Sequence, residues 1–512
     1  MISLTYSKNN IEAIFTENTF NAIDAVNKAE NSLEAFVALE NWMHGKTAKS
    51  LRIHETEKQI ETAGNEVLRM LLQEYLDQHE KRDVGKAIVQ QIEENDTVKL
   101  MHMREKRKHS RQYESIFGTV RIKRIGYSQK GCNKSIHPLD KELNIPRRKY
   151  SHYLEKRGIK HVIQGSYEQS LENIHDTTPA NIPKRQLEQL SKESAVDFES
   201  FYQKRQKEAF QSKDTGEIVV GGVDCKGIPR RKTKVEKEEP RKIRLKKGEK
   251  HQKKKMSTVG SVHTQKPHIR SKEEIVEHLM DIEPSKKASS RPRAENRRLW
   301  ASVIRSKSDV IKEIYNEMKN RNKKGDKIMV CLSDGERALH KRMLKYLPNV
   351  ILILDIIHVL EYLWEAAYVF YEEGSSDARL FVRKRLLGIL GGKVRYVAAG
   401  IRQSATKRYL KGKRLKTIDK ICKYFLKNKS RMQYNEYLDK GLPIASGNVE
   451  GACGHLVKDR MELTGASWSL EGAEAVLKLR AIAKSGDFED YWNFHLNQEC
   501  LRNYPEAWSI AP

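Results

Sequence analysis

Two short apolar runs, VCLSD (330–334) and VILILD (350–355), each finish on an aspartate, and between them ERALHKRMLKYL carries apolar residues at helical spacing. A strand, a helix and a second strand in that order constrain the chain more than any other stretch. Two strands joined by a helical crossover pair in parallel, and parallel sheets are covered by helices on both faces, which is why their strands read as unbroken apolar runs. Such sheets gather their chemistry at the carboxyl ends of the strands, where Asp334 and Asp355 fall.

The flanking sequence extends the pattern. EIVVGGVDCKG (217–227) reads as an apolar strand ending at Asp224 in a Gly-containing turn, and MSTVGSVHT (256–264) as a further strand. Residues 295–320 read as one amphipathic helix, so a third core strand finds no clear place. The stretch from 356 to about 440 has helical periodicity and no strand signal. It is followed by SGNVEGACG, which opens a helix with Glu450 in its first turn, where the helix dipole favours the ionised carboxylate. Ser446, Gly447, Gly451, Ala452 and Gly454 surround that glutamate with small residues. At an ideal helical spacing Lys458 and Arg460 lie about 80° either side of Glu450. Asp224 or Asp334 alone reads as a turn or cap residue. Together with Glu450 they form a set of hard oxygen ligands suited to Mg²⁺, and three carboxylates can hold two such ions roughly 4 Å apart.

Lys plus Arg outnumber Asp plus Glu by 96 to 68 in 512 residues, a formal charge of +28. That excess favours a polyanionic partner. The six cysteines are scattered without a CxxC pair, which argues against a zinc ribbon or a disulfide framework and for a reducing compartment. No apolar run approaches the ~18 residues that a membrane span requires, so a soluble, intracellular protein without a membrane partner is expected. Residues 1–110 read as a helical region, and 111–215 as a basic strand segment and helix-turn-helix-like region that either binds DNA or presents a solvated basic edge and a plainly packed helical pair. The latter opens with a strand in which Val120, Ile122 and Ile125 alternate with Arg121, Lys123 and Arg124. It continues as a helix-turn-helix-like pair, with a first helix through Leu171 and Ile174 and a second starting near Pro183. Lys184, Arg185 and Gln186 occupy the first turn of that second helix, where recognition helices reach base edges. Residues 230–255 are too charged and too poor in apolar groups to fold alone and read as a disordered or DNA-ordered loop.

The segments GGVDCKG, LSDGERAL, DIIHVLEYLW, GLPIASGNVEGACGHLVKDRMELTGASWSLEGAEAVLKLRA and SGDFEDYWNFHL together resemble a bacterial insertion-sequence transposase. The likeness is to the Kra-type insertion-sequence family, a DDE group similar to the Mutator-like transposases, and it runs from about 115 to 500. The resemblance implies an α/β RNase H-like catalytic core in two parts, 216–355 and 447–485. An all-α insertion, 356–446, lies between them, the helical and helix-turn-helix regions precede them, and 486–512 forms a tail. It implies Asp224, Asp334 and Glu450 as catalytic metal ligands, Mg²⁺ (or Mn²⁺) as cofactor, and supporting places for Asp355 and His358 in an Asp-x-x-His motif. N-capping of the following helix explains Asp355 equally well. Cleavage and strand transfer on double-stranded DNA ending in terminal inverted repeats is the activity implied, with target DNA as second substrate. Synapsis of two ends implies a homo-oligomer on DNA, in the cytoplasm at the nucleoid. Lys184, Arg185, Gln186, Lys458 and Arg460 are the expected DNA contacts. A DNA-binding regulator without activity, or an RNase H-like nuclease that cleaves without joining, would share the charge and part of the pattern.

Overall fold

The computed structural model describes residues 21–94, 97–131, 135–207, 216–232, 253–282, 292–505 and 508–510. The loop expected at 230–255 lies, for its greater part, outside them. The chain divides into two units, one of residues 1–194 with 489–512 and one of residues 195–488.

In the first unit the helices Ser32–His44 and Ile53–Gln78 pack their apolar stripes with Ala22–Val26 around Ala35, Ala38, Leu39, Trp42 and Ala63. The helical region stops at Gln78, short of the expected 110. Strands β1 (Ile88–Glu94) and β2 (Thr97–Met103) pair antiparallel, followed by the ribbon of β3 (Glu105–Ser115) and β4 (Gly118–Ser128). Ile88, Val89, Ile92, Thr97 and Val98 are β-branched, and their strand preference outweighs the helix-like spacing. In β4, Val120 and Ile122 are buried while Arg121 and Lys123 face solvent, and Arg124 turns inward to Asp140 at 2.9 Å. Helices Tyr167–Thr177 and Lys184–Glu193 stand where the sequence places the helix-turn-helix-like pair, packed on His152–Gln164. Residues 486–512 are not a tail. The helix Phe488–Asn503 buries Tyr491, Trp492 and His495, and Trp508–Ile510 adds a strand antiparallel to β1. These bulky rings need a core to enter, and the first unit supplies it.

The second unit is built on a five-stranded sheet. Its strands are β5 (Ile218–Pro229), β6 (Lys254–Gln265), β7 (Glu295–Ser302), β8 (Ile328–Ser333) and β9 (Ile351–Leu354), in the spatial order β7-β6-β5-β8-β9. β5, β6 and β7 pair antiparallel, whereas β5, β8 and β9 run parallel. β7 corrects the single helix expected over 295–320, because the chain first forms an edge strand and the helix Lys307–Arg321 begins only after the Ser306 cap. A buried arginine hides the strand. The Arg298 guanidinium sits in the core, bonded to Glu317 (2.7 Å) and Glu313 (2.6 Å) and stacked on Tyr202 (3.9 Å). A charge at a core-facing position breaks the apolar run by which a buried strand is recognised.

Between β9 and Gly447 the chain forms only helices, chiefly Ile356–Phe370, Ser376–Leu390, Val394–Lys407 and Gly412–Asn428. Their apolar faces share one continuous core with Val330, Leu332, Ile353 and Leu354 of the sheet. The helical stretch therefore grows out of the strand ends.

Burial alone would push the Glu317 carboxyl up, but Arg298 and Arg321 outweigh it and hold it at about 2, below its ordinary 4.5. Stability from this ionised carboxylate is present above the ordinary value and lost as the pH falls towards 2. Arg298→Ala breaks a buried ion-pair network, leaving Glu317 with Arg321 alone, and should cost about 3 kcal/mol in urea unfolding at neutral pH. The acid limb of its stability profile should also begin at higher pH than in the wild type.

Candidate active site

The sheet register gathers the acids. Val223 of β5 pairs with Ser333 of β8, and Ser333 with Leu354 of β9. The next residues along these parallel strands are Asp224, Asp334 and Asp355, so the three carboxylates follow one another across the sheet at one level. Asp224 does not end its strand as expected. β5 runs on to Pro229 because β6 accompanies it as far as Lys254, and only the parallel neighbour stops at Ser333. Asp224 thus marks the end of the parallel ladder and remains on rigid backbone.

Each aspartate is held differently. The half-buried Asp224 accepts the Cys225 N–H (2.6 Å) on one oxygen and the Cys453 thiol (3.1 Å) on the other. Asp334 accepts the Glu336 N–H at 2.9 Å. Burial pushes its carboxyl up, and the neighbouring negative charge of Asp224 adds to the rise. Asp355 is fully buried. It caps the helix Ile356–Phe370 by accepting the Ile357 N–H (2.7 Å), and it also takes the Ser446 N–H (2.8 Å) and hydroxyl. Ser446 is in turn the N-cap of Gly447–Ala452, the helix that carries Glu450. The backbone doubles this tie, for Ile356 N–H donates to Ile444 O at 3.0 Å. Asp355 is therefore architecture with its oxygens already occupied.

Glu450 is exposed on its short helix. Desolvation against the strand ends, then the charges of Asp355 and Asp224, push its carboxyl up, with His358 opposing. His358 lies 3.0 Å from Glu361, and although burial disfavours its charged form, Glu361, Asp355 and Asp334 raise it.

The glutamate helix does not continue as a regular α-helix. Cys453–Lys458 is a π-turn, which widens the spacing and removes the angular placement expected for Lys458 and Arg460. Lys458 is exposed, but Arg460 is buried with its guanidinium 4.7 Å over the Trp468 ring, which corrects its expected DNA contact. Arg480 stabilises the turn by donating to the carbonyls of Leu456 (2.9 Å) and His455, the kind of partner that π-turn backbone groups need. In the other unit, Arg185 and Gln186 are exposed at the start of Lys184–Glu193, and Lys184 is exposed while paired with Glu168.

Three residues that sequence reasoning missed brace the site from the helical stretch. Arg431, buried, donates to Ser333 Oγ (3.2 Å) and Asp334 O (3.4 Å). Tyr434 Oη donates to Leu354 O at 2.8 Å, and a Cβ on Gly335 would collide with the Tyr424 ring. Only the glycine of LSDGER offered a signal, that of a close approach.

Among the described residues no group of three or more His, Cys, Asp or Glu side chains is gathered tightly enough to hold a metal ion. The donors at the strand ends are nevertheless carboxylate oxygens that repel one another, and a hard divalent cation would relieve that repulsion.

The second unit thus defines a mixed α/β protein with carboxylates at the ends of its parallel strands. A family model described as "Uncharacterised protein family (UPF0236)" matches residues 46–281, a span that includes Asp224 but neither Asp334 nor Glu450. No curated protein matches the sequence. Among solved structures, a chain of "Drosophila P element transposase strand transfer complex" aligns at 9% identity and a TM-score of 0.24, covering 70% of this chain and 86% of that one. No helix among the described residues is long and apolar enough to cross a membrane.

Asp355→Ala removes a helix cap and leaves buried donors without an acceptor. It should lower unfolding stability by about 2–4 kcal/mol, whereas Glu450→Gln, on an exposed side chain, should change it by less than about 0.5 kcal/mol.

Proposed function

We propose that the chain is a DNA transposase of a bacterial insertion sequence, of the Kra-type group related to Mutator-like transposases, acting on terminal inverted repeats in the cytoplasm. The observation that carries the reading is the register that sets Asp224 and Asp334 side by side on adjacent parallel strands, with Glu450 on a helix locked to the next strand through Asp355. The spatial strand order 3-2-1-4-5, with the second strand antiparallel, supports an RNase H-like core, and the helices between β9 and Gly447 stand for its all-α insertion.

In this reading Asp224 and Asp334, at the strand ends, and Glu450, on its exposed helix, would hold Mg²⁺, or Mn²⁺ in its place, through their carboxylate oxygens. A bound pair of such ions supplies activation of the attacking hydroxyl and stabilisation of the leaving oxygen in phosphoryl transfer. The Cys453 thiol fixes the rotamer of Asp224, and Arg431 holds the backbone of Asp334 from behind. His358 stands beside the acids, hydrogen-bonded to Glu361. Arg185 and Gln186 would read bases in the major groove, with Lys184 and Lys458 as phosphate contacts and a homo-oligomer pairing two ends.

The test is a strand-transfer assay on DNA carrying the inverted repeats that flank the gene. Joining should require Mg²⁺, stop with EDTA, and fall by at least about a hundredfold in Asp334→Asn and Glu450→Gln, since even outer partners of a metal site are worth roughly 10- to 100-fold. Strand transfer that survives Asp334→Asn would overturn the assignment, and cleavage without joining would indicate a nuclease. Independently of activity, Mg²⁺ should raise the melting temperature of the wild type, because it favours the ionised Asp334 and Glu450 that burial and mutual repulsion disfavour. Asp334→Asn should lose most of that rise.

A further inference from the structure

From Ala378 to Ile418 the chain contains no Asp or Glu, yet it carries 13 Lys and Arg residues. Much of that charge lies on the helices Val394–Lys407 and Gly412–Asn428, and it is densest in the turn between them, KRYLKGKR (407–414). Lys407, Lys411, Lys413 and Arg414 are all exposed there. In their midst stands Tyr409, 85% exposed, a large ring with almost all of its surface in solvent.

The backbone beneath that ring is unusual. Tyr409 has φ +50°, the left-handed region. Its N–H bonds to Thr406 O (3.0 Å), and the Leu410 N–H reaches back to Ala405 O (3.1 Å). These two bonds are the Schellman termination of a helix, and Tyr409 occupies the position that glycine ordinarily fills, because a Cβ is strained there. The turn does not wander. Arg408 pins it by donating to Phe370 O (3.1 Å) and Tyr371 Oη (2.9 Å), with its guanidinium 4.7 Å over the Tyr371 ring. The chain accepts a strained residue in order to hold an aromatic ring rigidly in solvent, among cations with no acid nearby in sequence. Stability gives no reason for it, and strain of this kind collects at functional positions.

We propose that this turn is a DNA contact for unpaired bases, with Tyr409 as the stacking platform and Lys411, Lys413 and Arg414 gripping the flanking phosphates. A ring held out from a basic turn meets the face of a base only where the pair is open, since in an intact duplex the base faces are covered by their neighbours. Stacking of this kind tolerates any sequence. The proposal rests on the DNA reading above and adds to it where the helical insertion touches its substrate and in what state.

The experiment uses the full-length protein in EDTA, so that no chemistry is needed. Binding is measured by fluorescence anisotropy to a labelled duplex and to the same duplex with an internal run of unpaired thymines. The wild type should prefer the interrupted duplex by about tenfold. Tyr409→Gly should abolish the preference, leave binding to the intact duplex unchanged, and raise the melting temperature, since glycine relieves the backbone. That variant cannot be dismissed as misfolded. The double substitution Lys411→Glu with Lys413→Glu should weaken binding to both DNAs and reduce the salt dependence. A preference that survives in Tyr409→Gly, or an RNA of the same sequence that binds more tightly than the DNA, would overturn the proposal while leaving the transposase reading intact. Absence of binding to either DNA by the wild type would overturn both. Failure of strand transfer with the tenfold preference present would overturn only the transposase.

Discussion

One buried carboxylate organises the end of the second unit where the parallel strands stop. Asp355 receives the first turn of one helix and the cap residue of another, and through them it fixes where the chain leaves the sheet and where it returns. A charged group enclosed this completely is tolerated only when its oxygens are satisfied. The hydrogen bonds are thus also the condition on which the carboxylate stays there. Remove them, and the short glutamate helix, which has just six residues and no side-chain cap bond of its own, loses the tie at its first turn.

Around that fixed point the site divides into rigid and adjustable parts. Asp224 stands on continuous strand and is clamped by a thiol. Asp334 follows a strand directly and is backed by Arg431, whose own burial is offset by Ser333, Asn428 and the Asp334 carbonyl. Glu450 is exposed, on a helix that passes at once into a π-turn, and the bonds from Arg480 keep that turn from unwinding. Two acids are fixed by hydrogen bonds at the strand ends, and the third is exposed on a short helix. Burial does most to raise the carboxyls of Asp334 and Glu450, and the charge of Asp224 adds to both.

Much of this was legible in the sequence. The paired apolar runs ending in Asp334 and Asp355 gave the parallel ladder, and the place of Asp355 before an apolar helical stretch gave its cap. Lys184, Arg185 and Gln186 fall in the first turn of a helix, as their position after Pro183 indicated. What remained hidden was long-range or locally misleading. β7 was obscured because Arg298 interrupts its apolar run and is neutralised only by residues on the helix that follows. The hairpin at 88–103 carried a spacing that also fits a helix. The π-turn at Cys453–Lys458 has no periodic signature, so Arg460 was placed on a surface where it does not lie. Arg431 is separated from Asp334 by nearly a hundred residues, and a lone arginine in a basic helical region gives no sign of the contact it makes.

The return of the chain to Asp355 makes the helical stretch a detour. It departs at Ile356 and comes back at Ser446 to the same carboxylate, with Ile444 O bonded to Ile356 N–H at its neck. A segment closed at its neck in this way can lengthen, shorten or change its outer surface over generations while the strand ends stay in register. The braces on the strand ends, Tyr424, Arg431 and Tyr434, all lie near the end of the excursion, close to the neck. The turn at Tyr409 lies in the middle of that excursion, and both ends of the excursion meet at the neck beside the acids.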